Sequence, residues 1–135
     1  MKRLLAAALF CILSSASWAA DDAGALVEKW YAALASADGA AFAEILADDA
    51  VISLDDLDTE QTKAEFIASM DEWQDAMTGA TIRHKIERSS PESVSVLVCY
   101  QFPGNESFGR ETFRAKDGKI TESVQTTLGD SCTEY

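Results

Sequence analysis

A chain of 135 residues has room for one domain. Its 23 acidic residues outnumber 11 basic ones, a formal charge of −12. That balance argues against phosphate backbones and anionic lipid surfaces as partners, so neither nucleic acid nor a membrane surface is expected.

In chain order, Lys2 and Arg3 come first, followed by the apolar run 4–13, LLAAALFCIL. The run is too short to cross a bilayer as a helix. Small residues follow, and Ser17-Trp18-Ala19 fits a small-x-small cleavage pattern. These features predict a signal peptide over 1–20, cleaved after Ala19 or Ala20, and an exported protein, periplasmic or secreted, whose domain is 21–135. Phe10 stands before Cys11 where a lipoprotein would need a small residue. Cleavage removes Lys2 and Arg3, leaving 9 basic against 23 acidic residues, a formal charge of −14.

Cys11 leaves with the signal, and Cys99 with Cys132 is an even pair for an oxidising compartment. Their bond would close a loop of about 33 residues, worth roughly 3–4 kcal/mol by the chain-entropy argument. The spacing gives no Cys-x-x-Cys pair, and His84 as the one histidine leaves too few ligands for zinc. No metal and no cofactor are expected.

Residues 25–37 set Leu26, Trp30, Ala33 and Leu34 on one helical face. Asp38-Gly39 breaks that helix, and Asp38 can cap a short second one over 40–47, ended by Asp48-Asp49. A short strand is predicted at 50–54, then a polar loop at 57–61. Thr62-Lys63-Ala64-Glu65 has the form of a capping box. Phe66, Ile67, Met70, Trp73 and Met77 then recur at helical spacing until Gly79.

Beyond Gly79 the period becomes two. Ile82, His84 and Ile86 alternate with charged residues over 81–88. Val94, Val96, Val98, Tyr100 and Phe102 share one face over 93–102, with Leu97, Cys99 and Gln101 on the other. Over 107–116, Glu111 and Phe113 oppose Arg110, Thr112 and Arg114. Asp117-Gly118 is a tight hairpin signal before a last strand at 120–128. Three helices followed by an antiparallel meander predict an α+β fold, the helices packed on one face of a curved sheet.

The order of elements, with WYAALASAD and ILADDAVIS as its most specific stretches, resembles the NTF2-like superfamily, including SnoaL-like and ketosteroid-isomerase-like domains. The resemblance covers about residues 25–129. It implies a cone with a pocket between the helices and the concave sheet, in a superfamily that contains isomerases, dehydratases, cyclases and noncatalytic modules. The isomerase-like catalytic set does not carry over. Leu54 stands where that resemblance would put a carboxylate base, and Asp55 is one residue off, which turns a strand side chain to the other face. Trp30 replaces a donating tyrosine, and Glu111 aligns with a protonated aspartate.

Two functional readings follow. The first is a noncatalytic exported domain that binds a small apolar or amphipathic ligand, or a protein partner, in a pocket bounded by Trp30, Met70, Trp73, His84, Tyr100, Glu111 and Phe113. The second is a small isomerase, dehydratase or cyclase in which His84 or Glu111 is the general base and Tyr100 completes the polar trio. A hydrogen-bonded core network would satisfy the same pattern. Cys99 is expected on the outer sheet face, tied to the C-terminal tail. Relatives commonly dimerise through that face. Here it carries Leu97, Arg110, Thr112 and Arg114 and is crossed by the tail, which predicts a monomer or weak homodimer.

Overall fold

The structure is a computed structural model that describes residues 22–135. The signal-peptide reading falls outside those residues. Helix α1 spans Ala23–Ser36 and is capped by Asp22, whose side chain accepts from the Ala25 N–H. Asp38 caps α2, Gly39–Ile45, in the same way.

The chain then enters β1, Leu46–Leu54, earlier than the sequence suggests. Asp48 and Asp49 therefore do not end the helix. They sit in a bulge of β1, where its register against β6 shifts between Leu46 and Val51. The orphan carbonyls at the end of α2 are met by two lysines. Lys63 Nζ donates to Ala43 O at 2.8 Å and Leu46 O at 2.9 Å, and Lys119 Nζ donates to Glu44 O.

The stretch expected to be a loop is a 3-10 turn, Asp55–Leu57, followed by an edge strand β2, Thr59–Thr62. Asp56 accepts from the backbone N–H of Thr127, which holds its carboxyl below the usual range. The two aspartates after β1 thus fasten that turn to the neighbouring strand.

The third predicted helix is two helices, α3 (Lys63–Ala68) and α4 (Met70–Ala76). The Thr62–Glu65 capping box starts α3. The Ser69 hydroxyl donates to Phe66 O at 2.6 Å, and the Ser69 N–H is shared between Glu65 O and Phe66 O. This local competition for helix carbonyls divides the run at Ser69.

Strands β3 (Thr81–Ser89), β4 (Ser93–Phe102), β5 (Asn105–Lys116) and β6 (Lys119–Gly129) complete the sheet. Its order is β2-β1-β6-β5-β4-β3, antiparallel except for the β1–β6 pair. Asp117 and Gly118 both have positive φ, as the tight β5–β6 hairpin requires. Further bulges at Ile86/Arg88, Phe108/Gly109 and Arg114/Ala115 add curvature. At Gly109 a Cβ would meet Thr126 O at 3.0 Å, so β5 and β6 approach there only because a side chain is missing.

Among the described residues the fold is α+β: four helices on a six-stranded, unclosed, curved sheet. The core lies between them, where Phe42, Leu26, Val94, Val96, Val98 and Phe113 are fully buried. Trp30 is central, stacked on Phe66 at 5.1 Å and edge-on to Phe42 and Phe113. On the convex face, Cys99 is bonded to Cys132, with Cα atoms 5.7 Å apart. The tail is held there by the Cys132 N–H donating to Glu106 at 2.8 Å, and by Tyr135 beneath Arg83 and Lys85. Among the described residues no helix is long and apolar enough to cross a membrane.

Candidate functional site

Concave curvature and two short helices leave space at one end of the sheet. Between α3–α4 and the strands lies a cavity of about 500 Å3. Leu34, Phe66, Met70 and Trp73 form its helical wall, with Glu72 and Ala76 at the exposed rim. The sheet contributes Ile52, Leu54, Gln61, Tyr100, Phe102, Ser107, Ser123 and Gln125. The apolar residues come mainly from helices and β4. The neutral polar ones come from β2, β5 and β6, with Ser69 at the α3–α4 junction. A largely apolar hollow with a few hydrogen-bonding groups is the usual form of a small-molecule site.

The expected pocket residues divide into three groups. Met70, Trp73 and Tyr100 line the cavity. Trp30 and Glu111 lie behind its wall in the core, in contact with the lining residues Phe66 and Tyr100, and Phe113 lies deeper, packed on Trp30 and Tyr31. His84 does not line the cavity. Parity is as expected, since His84 is opposite the inward Val98, but β3 is an edge strand and α1 covers this part of it. The His84 ring stacks flat on Tyr31 at 4.1 Å, and its Nε2 lies 3.1 Å from Glu28.

The trio His84, Tyr100 and Glu111 is therefore not one cluster. Tyr100 donates to Glu111 in a buried hydrogen bond, and His84 belongs to a separate surface pair. His84→Ala is expected to leave ligand binding in the cavity unchanged. It should cost no more than about 1 kcal/mol of stability in a urea titration, since it removes one exposed pair and one ring contact.

Glu111 is 1% exposed, and among the described residues the side chains that act on its carboxyl are tyrosines rather than cations. Burial pushes its carboxyl up to about 7, against the lowering effect of its tyrosine neighbours. The Tyr100 phenol is raised in turn by burial and by the Glu111 charge. Tyr31 is raised by the same two causes, but its hydroxyl makes no hydrogen bond of ordinary geometry. Tyr100 is thus the bonded partner of Glu111, and Tyr31 is a polar neighbour. Tyr100 keeps its proton, and Glu111 can take up or release one near neutral pH, directly behind the cavity.

Sequence reasoning missed Phe102 and Ser107 although both share inward parity with Tyr100. Ser107 is its cross-strand partner. It also missed Ser123 and Gln125 on β6. Polar residues at inward positions of a core strand, Gln125 directly opposite Glu111, are the available signal for a hollow at that place. Among the described residues no group of His, Cys, Asp and Glu is placed to hold a metal ion.

Known structures share this architecture. A protein from Sphaerobacter thermophilus superposes with a TM-score of 0.68 at 17% identity, over 81% of this chain and 98% of its own. A candidate ketosteroid isomerase from Kribbella flavida gives 0.65 at 18%, covering 79% and 78%. IdmH, a candidate polyketide cyclase from Streptomyces antibioticus, gives 0.63 at 18%, covering 76% and 89%. At these identities the likeness is one of fold. None of the curated proteins matches in sequence. Residues 27–123 match the SnoaL-like domain. That span runs from the middle of α1 to the inward Ser123 of β6 and includes nearly every element that walls the cavity, so the chain belongs to the SnoaL-like family of the NTF2-like superfamily.

Proposed function

We propose that this is an exported domain that binds a small apolar or amphipathic molecule in its concave cavity without transforming it. The observation that carries the reading is the cavity wall itself: apolar side chains with serine and glutamine groups and Glu72 at the exposed rim, while the buried carboxyl of Glu111 stands behind Tyr100. The N-terminal signal pattern and the Cys99–Cys132 bond support export. The tail strapped across the convex face supports a monomer or weak dimer, because it covers part of the surface that a face-to-face pair would use.

The neutral fluorophore N-phenyl-1-naphthylamine tests the reading. Titrated into the mature chain, it is expected to give saturable, blue-shifted emission at one site per molecule. Ala76→Trp adds an indole at an exposed helical position on the rim and should weaken binding by about tenfold or more, while the unfolding midpoint stays close to wild type. Linear, unsaturable emission, or equal affinity in the rim variant, would count against the cavity as a binding site.

A catalytic reading is favoured by one observation, the neutral-range carboxyl of Glu111 one hydrogen bond behind the cavity-lining Tyr100. In that reading Glu111, working through Tyr100, is the base. Glu111→Gln would then remove turnover and spare binding.

A further inference from the structure

The cavity has a particular aromatic and electrostatic character. Tyr100 and Phe102 project from the same face of β4 with parallel rings, 6.3 Å apart and 4° from coplanar orientation. Trp73 stands at 89° to both, 6.1 Å from each. Its indole N–H donates to Leu34 O at 2.7 Å, which fixes the ring. The three rings form a preorganised corner, half-buried at Trp73 and Phe102 and closed inward by Tyr100. Ring faces carry negative potential and attract organic cations.

The charges around the corner have one sign. Among the described residues that line the cavity, Glu72 is the one acidic side chain, and there is no lysine, arginine or histidine. Behind Tyr100 lies a second carboxyl, Glu111. The whole mature chain carries 23 acidic against 9 basic residues, and such a field concentrates cations and repels anions at a low-dielectric cleft. An anionic amphiphile would meet no cationic side chain among the described lining residues. A neutral molecule would use the serines and glutamines and pack against the rings but leave Glu72 without an ionic partner.

We propose that the cavity selects an amphipathic organic cation, an amine or quaternary ammonium group on an apolar body, with the cationic head in the Trp73–Tyr100–Phe102 corner beside Glu72. This rests on the ligand-binding reading above and names the chemical class of its ligand. The apolar body lies against Phe66, Met70 and Ile52.

Three probes on one skeleton test it: (2-naphthylmethyl)trimethylammonium, 2-naphthalenemethanol and 2-naphthylacetate, titrated calorimetrically into the mature chain. The cation is expected to bind about tenfold tighter than the alcohol, and the carboxylate weakest. Most of the preference should persist at about 0.5 M NaCl, where long-range attraction to the acidic surface is screened. Glu72→Gln and Phe102→Leu should each narrow the preference to about threefold or less. Alcohol binding as tight as the cation overturns the proposal. So does a preference that vanishes in salt and ignores both variants, since it would then belong to net charge alone. If none of the three binds while N-phenyl-1-naphthylamine does, the cation assignment fails and the cavity reading stands. If N-phenyl-1-naphthylamine also fails to bind, the cavity reading falls first.

Discussion

Cys132→Ser, or reduction of the Cys99–Cys132 bond, is expected to lower stability by about 3–4 kcal/mol. The bond joins residues 33 apart, and that loop is closed in the unfolded chain only while the disulfide is intact. Its loss returns loop entropy to the unfolded state. In the folded state it also leaves the tail to weaker ties, the Glu106 carboxylate on the Cys132 N–H and the Tyr135 ring beneath two cations. Cys99 lies next to Tyr100 in β4, and Cys132 approaches Ser107, so the strap braces the hairpin end that supplies the cavity with Tyr100, Phe102 and Ser107. Urea unfolding under oxidising and reducing conditions measures the effect. A loss below about 1 kcal/mol would mean that the tail adds nothing to the sheet.

The second large effect is a pH dependence from one buried carboxyl. Glu111 shifts from an ordinary 4.5 to about 7 on folding, chiefly by desolvation. A raised carboxyl favours the protonated form in the folded state. Its contribution is therefore fully present below pH about 4.5 and is lost as pH rises through about 7. The shift corresponds to about 3 kcal/mol across that window. Tyr100 on β4 and Tyr31 on α1 are the titratable groups that face Glu111, and both stay neutral throughout.

The exposed carboxylates Asp56 and Glu87 and the half-buried Glu106 are held low by hydrogen bonds to Thr127, Arg110 and the Cys132 N–H respectively. Their stabilising effect is present above the ordinary carboxyl range and fades only as pH falls below it, outside the Glu111 window. Glu111→Gln keeps an acceptor for Tyr100 and removes the charge. It is expected to flatten the decline between pH 5 and about 8 and to leave the variant more stable than wild type at the alkaline end. A wild-type stability that rises through this window, or an unchanged slope in the variant, would contradict the assignment.

Much of the fold was legible because periodicity and capping agree. The Thr62–Glu65 box, the Asp38 cap and the Asp117-Gly118 turn each satisfy a local requirement, and each appears at its expected residue. The errors lie where a tertiary contact overrides a local cue. Asp48-Asp49 reads as a helix end, yet Ile45 and Leu46 are buried and carry the chain directly into a strand, with Lys63 satisfying the freed carbonyls. The division at Ser69 depends on one hydroxyl turning back to Phe66 O, which helical spacing does not encode.

At the site, parity placed Tyr100, Glu111 and Phe113 on the concave face. Parity does not say how far along a strand a helix covers it. His84 shares that face but meets Tyr31 and Glu28 of α1, while Ser123 and Gln125 on the central β6 reach the hollow.

The most direct test of the central claim is where a ligand sits. In a two-dimensional amide NMR titration of residues 21–135 with N-phenyl-1-naphthylamine, the indole N–H of Trp73 and the amides of Leu34, Tyr100, Ser123 and Gln125 are expected to shift together and saturate. Leu97, Arg110 and Thr112 on the convex face should stay in place. Saturable shifts confined to the convex face, or none at the cavity residues, would contradict a ligand site between the helices and the sheet.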